Sequence, residues 1–237
     1  MANNHIRNYA LEMLRDLRVI TIRKEYLPDR KALHPDEKLF EKYLDIVPDK
    51  ESEPGDGFIM PYGDSPLDNE AVGEQVYMDI LYTAKDYVHI MTPYLILSNE
   101  MITALTYAAK RGVDVKIIMP HIPDKWYAFV LAKTYYNELL DAGVKIYEYT
   151  PGFVHAKVFT SDDEKAVVGT INLDYRSLYL HFECAVYLYQ NEEIPSIEED
   201  FQETLAKCQE VLPSDYKRQK FFDRMAGRVL RILAPLM

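Results

Sequence analysis

The stretch His155-Ala156-Lys157, followed by Asp162 and then Gly169-Thr170-Ile171-Asn172, decides how the rest of the chain is read. It spells H-x-K-x4-D-x6-G-T-x-N and occurs once. Alternation over Val154–Thr160 predicts a strand with His155, Lys157 and Phe159 on one face. The polar run Ser161-Asp162-Asp163-Glu164-Lys165 predicts a tight turn into a second strand, Ala166–Asn172. A hairpin centred between Asp163 and Glu164 sets His155 opposite Asn172 and Lys157 opposite Thr170; an odd residue count in the loop shifts that register. Opposed side chains on such a ladder have Cβ atoms about 4.5–5.5 Å apart, so imidazole, ammonium, amide and hydroxyl converge on one patch.

That set suits phosphorus chemistry. The ammonium supplies charge and the amide a directional N–H for a tetrahedral oxyanion. A neutral imidazole nitrogen can attack phosphorus if its other nitrogen donates to a fixed acceptor. Glu183 is the candidate acceptor: it stands near the start of the apolar strand Phe182–Tyr189, where a carboxylate is costly without a partner. Any one of these residues alone would read as a solvated surface group; the spacing of the whole array is what argues for a site.

Outward from the motif, the pattern is that of an α/β protein. A helix is expected from about Asn69 to Lys85, then a strand at Tyr87–Met91. Ser98 or Asn99 can cap a helix whose Met101, Ile102, Leu105, Ala108 and Ala109 share a face, with Gly112 closing it. Strand Val113–Met119, helix Trp126–Asp141 closed by Gly143, and strand Val144–Tyr149 follow. Strands separated by helices indicate a sheet with parallel pairings, flanked by helices. His121, Asp124 and Lys125 follow a strand end, where α/β ligands bind, and read equally as a substrate loop or a solvated one. Asp174, Arg176 and Ser177 read as braces of the site or as an internal ion pair.

Composition narrows the class. The 237 residues are 48% hydrophobic, enough for one core with appendages. No apolar run approaches the roughly 18–20 residues that span a bilayer, and Cys184 and Cys208 match no zinc spacing, which fits a reducing cytosolic setting. A formal charge of −11 argues against a general nucleic-acid binder. The charge is uneven. From Tyr216 to Met237 stand Lys217, Arg218, Lys220, Arg224, Arg228 and Arg231 against Asp223 alone, a net of +5 that leaves −16 on residues 1–215. Phe221, Phe222, Met225, Val229, Ile232 and Leu233 recur there at helical spacing. Such a basic amphipathic helix suits an anionic membrane surface, or it packs its stripe on its own domain.

H-x-K-x4-D followed by G-[ST]-x-N resembles the HKD motif of the phospholipase D superfamily. The flanking segments Pro61-Tyr62-Gly63-Asp64, Met91-Thr92-Pro93-Tyr94-Leu95, Pro120-His121-Ile122-Pro123-Asp124 and Asn172-Leu173-Asp174-Tyr175-Arg176-Ser177 are similar to the C-terminal half of bacterial cardiolipin synthases of that type. The resemblance implies a phospholipase D-like mixed sheet with one HKD copy over residues 58–212. Residues 1–57 would be a helix and Pro-containing linker left from a lost first half, and 213–237 the basic amphipathic helix. It implies phosphatidyl transfer between two phosphatidylglycerols through a phosphohistidine, with no metal and no organic cofactor. His155 would be nucleophile or acid/base, Lys157 and Asn172 phosphate ligands, Glu183 the group orienting His155, and Asp162 the motif's acid, which the hairpin puts at its turn. Thr170 stands where Ser is commoner in the family and, with His121 and Asp124, is a candidate substrate contact.

The family's enzymes carry two facing motifs and paired N-terminal transmembrane helices; this chain shows one motif and no such helices. A homodimer or a separate first-half domain would therefore complete the site. The expected setting is peripheral, on the cytoplasmic face of a bacterial cell membrane, with phosphatidylglycerol or another anionic phospholipid as partner. Two other readings stand beside this one. One is a single-motif phosphodiesterase homodimer, acting on lipid or nucleic acid. The other is an inactive half that binds lipid or a partner.

Overall fold

The computed structural model describes residues 56–67, 70–217 and 221–234. The N-terminal helix and nearly all of the Pro-containing linker expected within residues 1–57 lie outside them. In chain order the elements are β1 (Phe58–Asp64), α1 (Val72–Thr83), β2 (Tyr87–Met91), α2 (Asn99–Lys110), β3 (Asp114–Pro120) and α3 (Trp126–Asp141). β4 (Lys145–Tyr149), β5 (Val158–Ser161), β6 (Lys165–Gly169) and a π-helical turn (Arg176–Leu180) follow. Then come β7 (Glu183–Tyr189), α4 (Ile194–Leu205), β8 (Cys208–Glu210), α5 (Pro213–Lys217) and α6 (Phe221–Leu233). The eight strands form one mixed sheet in the order β1-β7-β6-β5-β2-β3-β4-β8. Only β2–β3 and β3–β4 pair in parallel; the five other pairings are antiparallel.

The period-2 pattern of each central strand sends side chains to two different layers. Val88, Ile90, Val115, Ile117 and Phe159 face the main core under α1, α2 and α3. Met91, Ile118 and Val158 face the other side, where Phe201 of α4 covers them. Helix boundaries follow from local chemistry. Ser98 accepts from Met101 N at 3.1 Å to start α2. Gly112 and Gly143, at φ +96 and +99, supply the left-handed residue that closes α2 and α3. α1 begins at Val72 rather than Asn69, because its free N–H at Gly73 is taken by the Asp64 carboxylate at the end of β1, at 2.7 Å. Edge strands β1 and β8 carry no sequence signal of their own: β1 holds Pro61 and Gly63, and β8 is three residues long.

The β5–β6 hairpin corrects the expected register. Ser161 pairs with Lys165, and Val158 with Val168, around a three-residue loop of Asp162, Asp163 and Glu164. Asp162 and Asp163 take positive φ, 55 and 56, which Asp tolerates better than most side chains. The odd loop slides the ladder by one, so Lys157 lies across from Gly169, whose N–H reaches its carbonyl at 3.2 Å, and His155 does not face Asn172. Gly169 also ends β6 early. A Cβ there would sit 2.4 Å from the Ala185 Cβ of β7, so no side chain fits.

Candidate active site

Both halves of the motif leave the sheet just where its chemistry begins. β5 starts at Val158, so Phe153 to Lys157 form an extended approach outside the ladder, and residues 170–175 leave β6 on the same edge. The strap after β2 holds that second segment. Ile96 N donates to Leu173 O at 2.7 Å, and Leu173 N donates to the Thr92 hydroxyl at 3.3 Å. From beneath, Tyr77 of α1 donates its hydroxyl to Ile171 O at 2.9 Å and stacks on Phe159 at 4.0 Å between ring centroids. The flanking segments of the motif are thus its scaffold.

His155 is exposed, and its ring stacks on Phe153 at 5.7 Å. Lys157 is buried to 8% exposure. Its Nζ lies 3.1 Å from His155 Nδ1, 3.0 Å from Nε2 and 2.8 Å from the His155 carbonyl. The ammonium donates to the His155 carbonyl and lies beside a ring that, when neutral, offers one acceptor nitrogen, so all its acceptors are neutral and it keeps capacity for an anion. Burial pulls the Lys157 pKa below its ordinary value, against the opposing pull of Glu183 and Asp174. Burial likewise pushes Asp174 above the ordinary carboxylate range, despite the hydrogen bond from Ser177 N at 2.7 Å. Asn172 bonds to the Ser177 hydroxyl at 2.9 Å, while the other head atom of its amide is buried without a partner. A hydroxyl both donates and accepts, so a half-turn of the amide keeps the Ser177 bond and offers an N–H at the orphaned position.

Asn172, Glu183, His181, Arg176, Tyr94 and Lys125 line a cavity of about 430 Å³. A larger one, about 530 Å³ between α2, α3 and α6, is lined by no histidine or cysteine. Glu183 does not bond to His155. One of its oxygens takes His181 Nδ1 at 3.1 Å, and the other accepts the Thr170 hydroxyl. Thr170 is bound further to β7, receiving Cys184 N at 3.0 Å, and so helps to fix Glu183. Asp162 sits at the far tip of the hairpin, its carboxylate accepting from the backbone N–H groups of Lys85, Asp86 and Tyr87 at 2.8, 3.0 and 2.9 Å. His121 pairs with Glu148 at 2.8 Å and lines a separate cavity of about 190 Å³. Asp124 accepts from the hydroxyl of the cavity residue Tyr94 at 2.5 Å. Arg176 and Lys125, read from the sequence as a brace and as part of a loop after a strand end, line the cavity, whereas the ring of His181 escapes that reading. The signal available was His181-x-Glu183, two residues of complementary chemistry on one face of an extended segment.

With the geometry in place, likeness to known proteins can be set beside it. Residues 77–205 match the family described as "Cardiolipin synthase, PLD-like domain". The chain is 62% identical over 181 residues to an "Uncharacterized protein" of Streptococcus mutans serotype c, covering 76% of this chain and 39% of that one. It is 34% identical over 227 residues to a "Cardiolipin synthase" of Geobacillus kaustophilus, covering 95% of this chain and 44% of the relative. The chain therefore spans about two fifths of the length of these relatives. Among solved structures, the phospholipase D family member Nuc of Salmonella typhimurium superposes with a TM-score of 0.56 at 20% identity, over 65% of this chain and 97% of Nuc, which speaks for the fold.

Proposed function

This chain belongs to the cardiolipin synthase, PLD-like domain family, and from that membership we propose that it supplies one half of a phosphatidyl-transfer site making cardiolipin from two phosphatidylglycerols. The observation that carries this reading is the Lys157 ammonium, 3.0 and 3.1 Å from the ring nitrogens of an exposed His155. A phosphodiester placed there would give Lys157 an anionic acceptor beside the neutral ones it has on His155, and Asn172 would turn an N–H toward the same oxyanion. A His155 ring nitrogen forms a bond to phosphorus as the P–O bond to the headgroup glycerol breaks, and the departing oxygen takes up a proton. A hydroxyl of a second phosphatidylglycerol then attacks, gives up its proton, forms the new P–O bond and frees His155. Two phosphatidylglycerols become one cardiolipin and one glycerol, without net change of protons.

The donor of that first proton is the missing half. A second copy of the chain, or a separate first-half domain, would present the matching histidine across the cavity. His181 is the nearest imidazole in the described cavity wall, and its Nδ1 bond to Glu183 leaves Nε2 for proton exchange. We place the action at the cytoplasmic face of a bacterial cell membrane, where phosphatidylglycerol is presented as a surface.

The test is incubation with phosphatidylglycerol in mixed micelles, wild type against His155→Ala, with products resolved by mass spectrometry. Cardiolipin and free glycerol, together with a lipid adduct on His155 in quenched samples of wild type alone, are expected. Phosphatidic acid in place of cardiolipin would make water the acceptor and the protein a hydrolase. A folded chain giving neither product nor adduct sinks the transfer reading.

A further inference from the structure

We propose that the outer face of α6 docks this domain on an anionic lipid bilayer; the choice of bilayer rests on the lipid substrate proposed above. One face of α6 is already occupied. Gly227 lies so close to α3 that a Cβ would meet Thr134 Cγ2 at 2.7 Å. Arg231 donates to Thr134 O and to Glu138, at 3.2 and 3.1 Å, and covers the Tyr135 ring at 4.4 Å. Ala234 is buried and Leu230 packs against the main core. So these contacts hold the helix by the face opposite its apolar stripe.

That stripe faces water. Phe222, Met225, Val229 and Ile232 are 81, 49, 56 and 80% exposed. At ~100° per residue they fall within a sector of roughly 80°. Scattered exposed apolar residues are ordinary, but four on one helical line are the mark of a surface that meets something apolar. Charge selects the occupant. The segment from Tyr216 carries +5 on a chain whose remaining residues carry −16, and exposed Arg228 borders the stripe. The acidic remainder is repelled by an anionic bilayer while the basic helix is attracted to it, so the helix sets the approach.

The orientation suits the site. Gly227 lies by Val130, and Arg231 by Thr134 and Glu138, so α6 runs alongside α3 in the same sense. Its Phe222 end therefore points toward the first turn of α3, which exposes Trp126 and Tyr127 and lends Tyr127 and Ala128 to the site cavity. Docking by the stripe brings the cavity wall toward the lipid.

The experiment is co-sedimentation of the full chain with vesicles of phosphatidylcholine alone or mixed with phosphatidylglycerol, for wild type, Phe222→Ser/Ile232→Ser and Arg228→Glu. Wild type should partition to the mixed vesicles, the double serine variant at least tenfold less, and Arg228→Glu several-fold less with a weaker salt dependence. Undiminished partitioning of the double variant, with circular dichroism and melting unchanged, overturns the proposal. So does a double variant that converts dimer to monomer in sedimentation velocity yet binds vesicles as before, since the stripe would then belong to a second copy. Short-chain phosphatidylglycerol below its micellar concentration separates docking from catalysis. Equal turnover there by wild type and double variant, with unequal vesicle binding, isolates docking. Vesicle binding by wild type without turnover of any lipid form refutes the transfer reading and leaves docking standing.

Discussion

The two ends of the β5–β6 hairpin carry parts of one motif and could hardly be more different. At the tip, Asp162 has three backbone N–H partners within 3.0 Å and pins the start of β2. At the open end, His155 is exposed, Lys157 has neutral acceptors on His155, and Asn172 has a buried head atom with no partner. At the tip the Asp162 carboxylate is fully engaged; at the open end the polar groups of Lys157 and Asn172 are not. A single sequence signature thus joins an architectural residue to reactive ones, and spacing alone does not tell the two apart.

The contrast can be broken most sharply by exchanging one end for the other in mutagenesis. His155→Ala should lower transfer by at least about 10³-fold while shifting stability by no more than about 0.5 kcal/mol, because an exposed ring is lost. Asp162→Ala should do the reverse. It removes the acceptor of three N–H groups, two of them open to water, and should cost about 1–2 kcal/mol in chemical denaturation, with specific activity per folded molecule near that of wild type. A large stability loss in the first, or dead but stable protein in the second, would erase the distinction. At an intermediate level, His181→Ala should reduce transfer roughly 10- to 100-fold and remove a limb of the pH–rate profile. An unaltered profile would make His181 a mere wall of the cavity.

The smallest expected effect concerns strain at the open end. Asp174 is held above its ordinary value by burial, so the fold favours its neutral form. Below pH 3.8 both folded and unfolded chains hold the proton and no penalty arises. As pH rises from there through the raised value, the folded chain holds more protons than the unfolded one and stability falls. Asp174→Asn keeps an acceptor for Ser177 N and removes the charge. Its melting temperature relative to wild type should therefore increase between pH 3 and pH 6 by about a few degrees. A flat difference would mean that Asp174 is not strained.

Much of this architecture was legible beforehand because it rests on periodicity. The β2–α2–β3–α3–β4 run and its closing glycines follow from period-2 and 3.6-residue patterns that tertiary contacts only reinforce. The register of the decisive hairpin was not legible, since it depends on two aspartates adopting positive φ. That choice is tied to an acceptor role for Asp162 toward residues some 76 positions away. The partner of Glu183 was misassigned for a similar reason. With the ladder shifted and β5 beginning late, the ring available to its carboxylate is His181, two residues away, and not that of His155. The stripe of α6 left two occupants open because a helical wheel shows that one face is apolar, not which face a neighbour takes; here the smallest residue, Gly227, marks the side that docks on α3.

One hydroxyl has a practical corollary for anyone trimming the chain. The region matching the family begins at Tyr77, the residue whose Oη steadies Ile171 in the loop that delivers Asn172. A clone starting there would retain every letter of the signature yet discard the first five residues of α1, its Asp64 cap, and the strand lying along β7. Such a product should express as a loosened domain whose reactive loop has lost its anchor. The shortest usable fragment opens no later than Gly57.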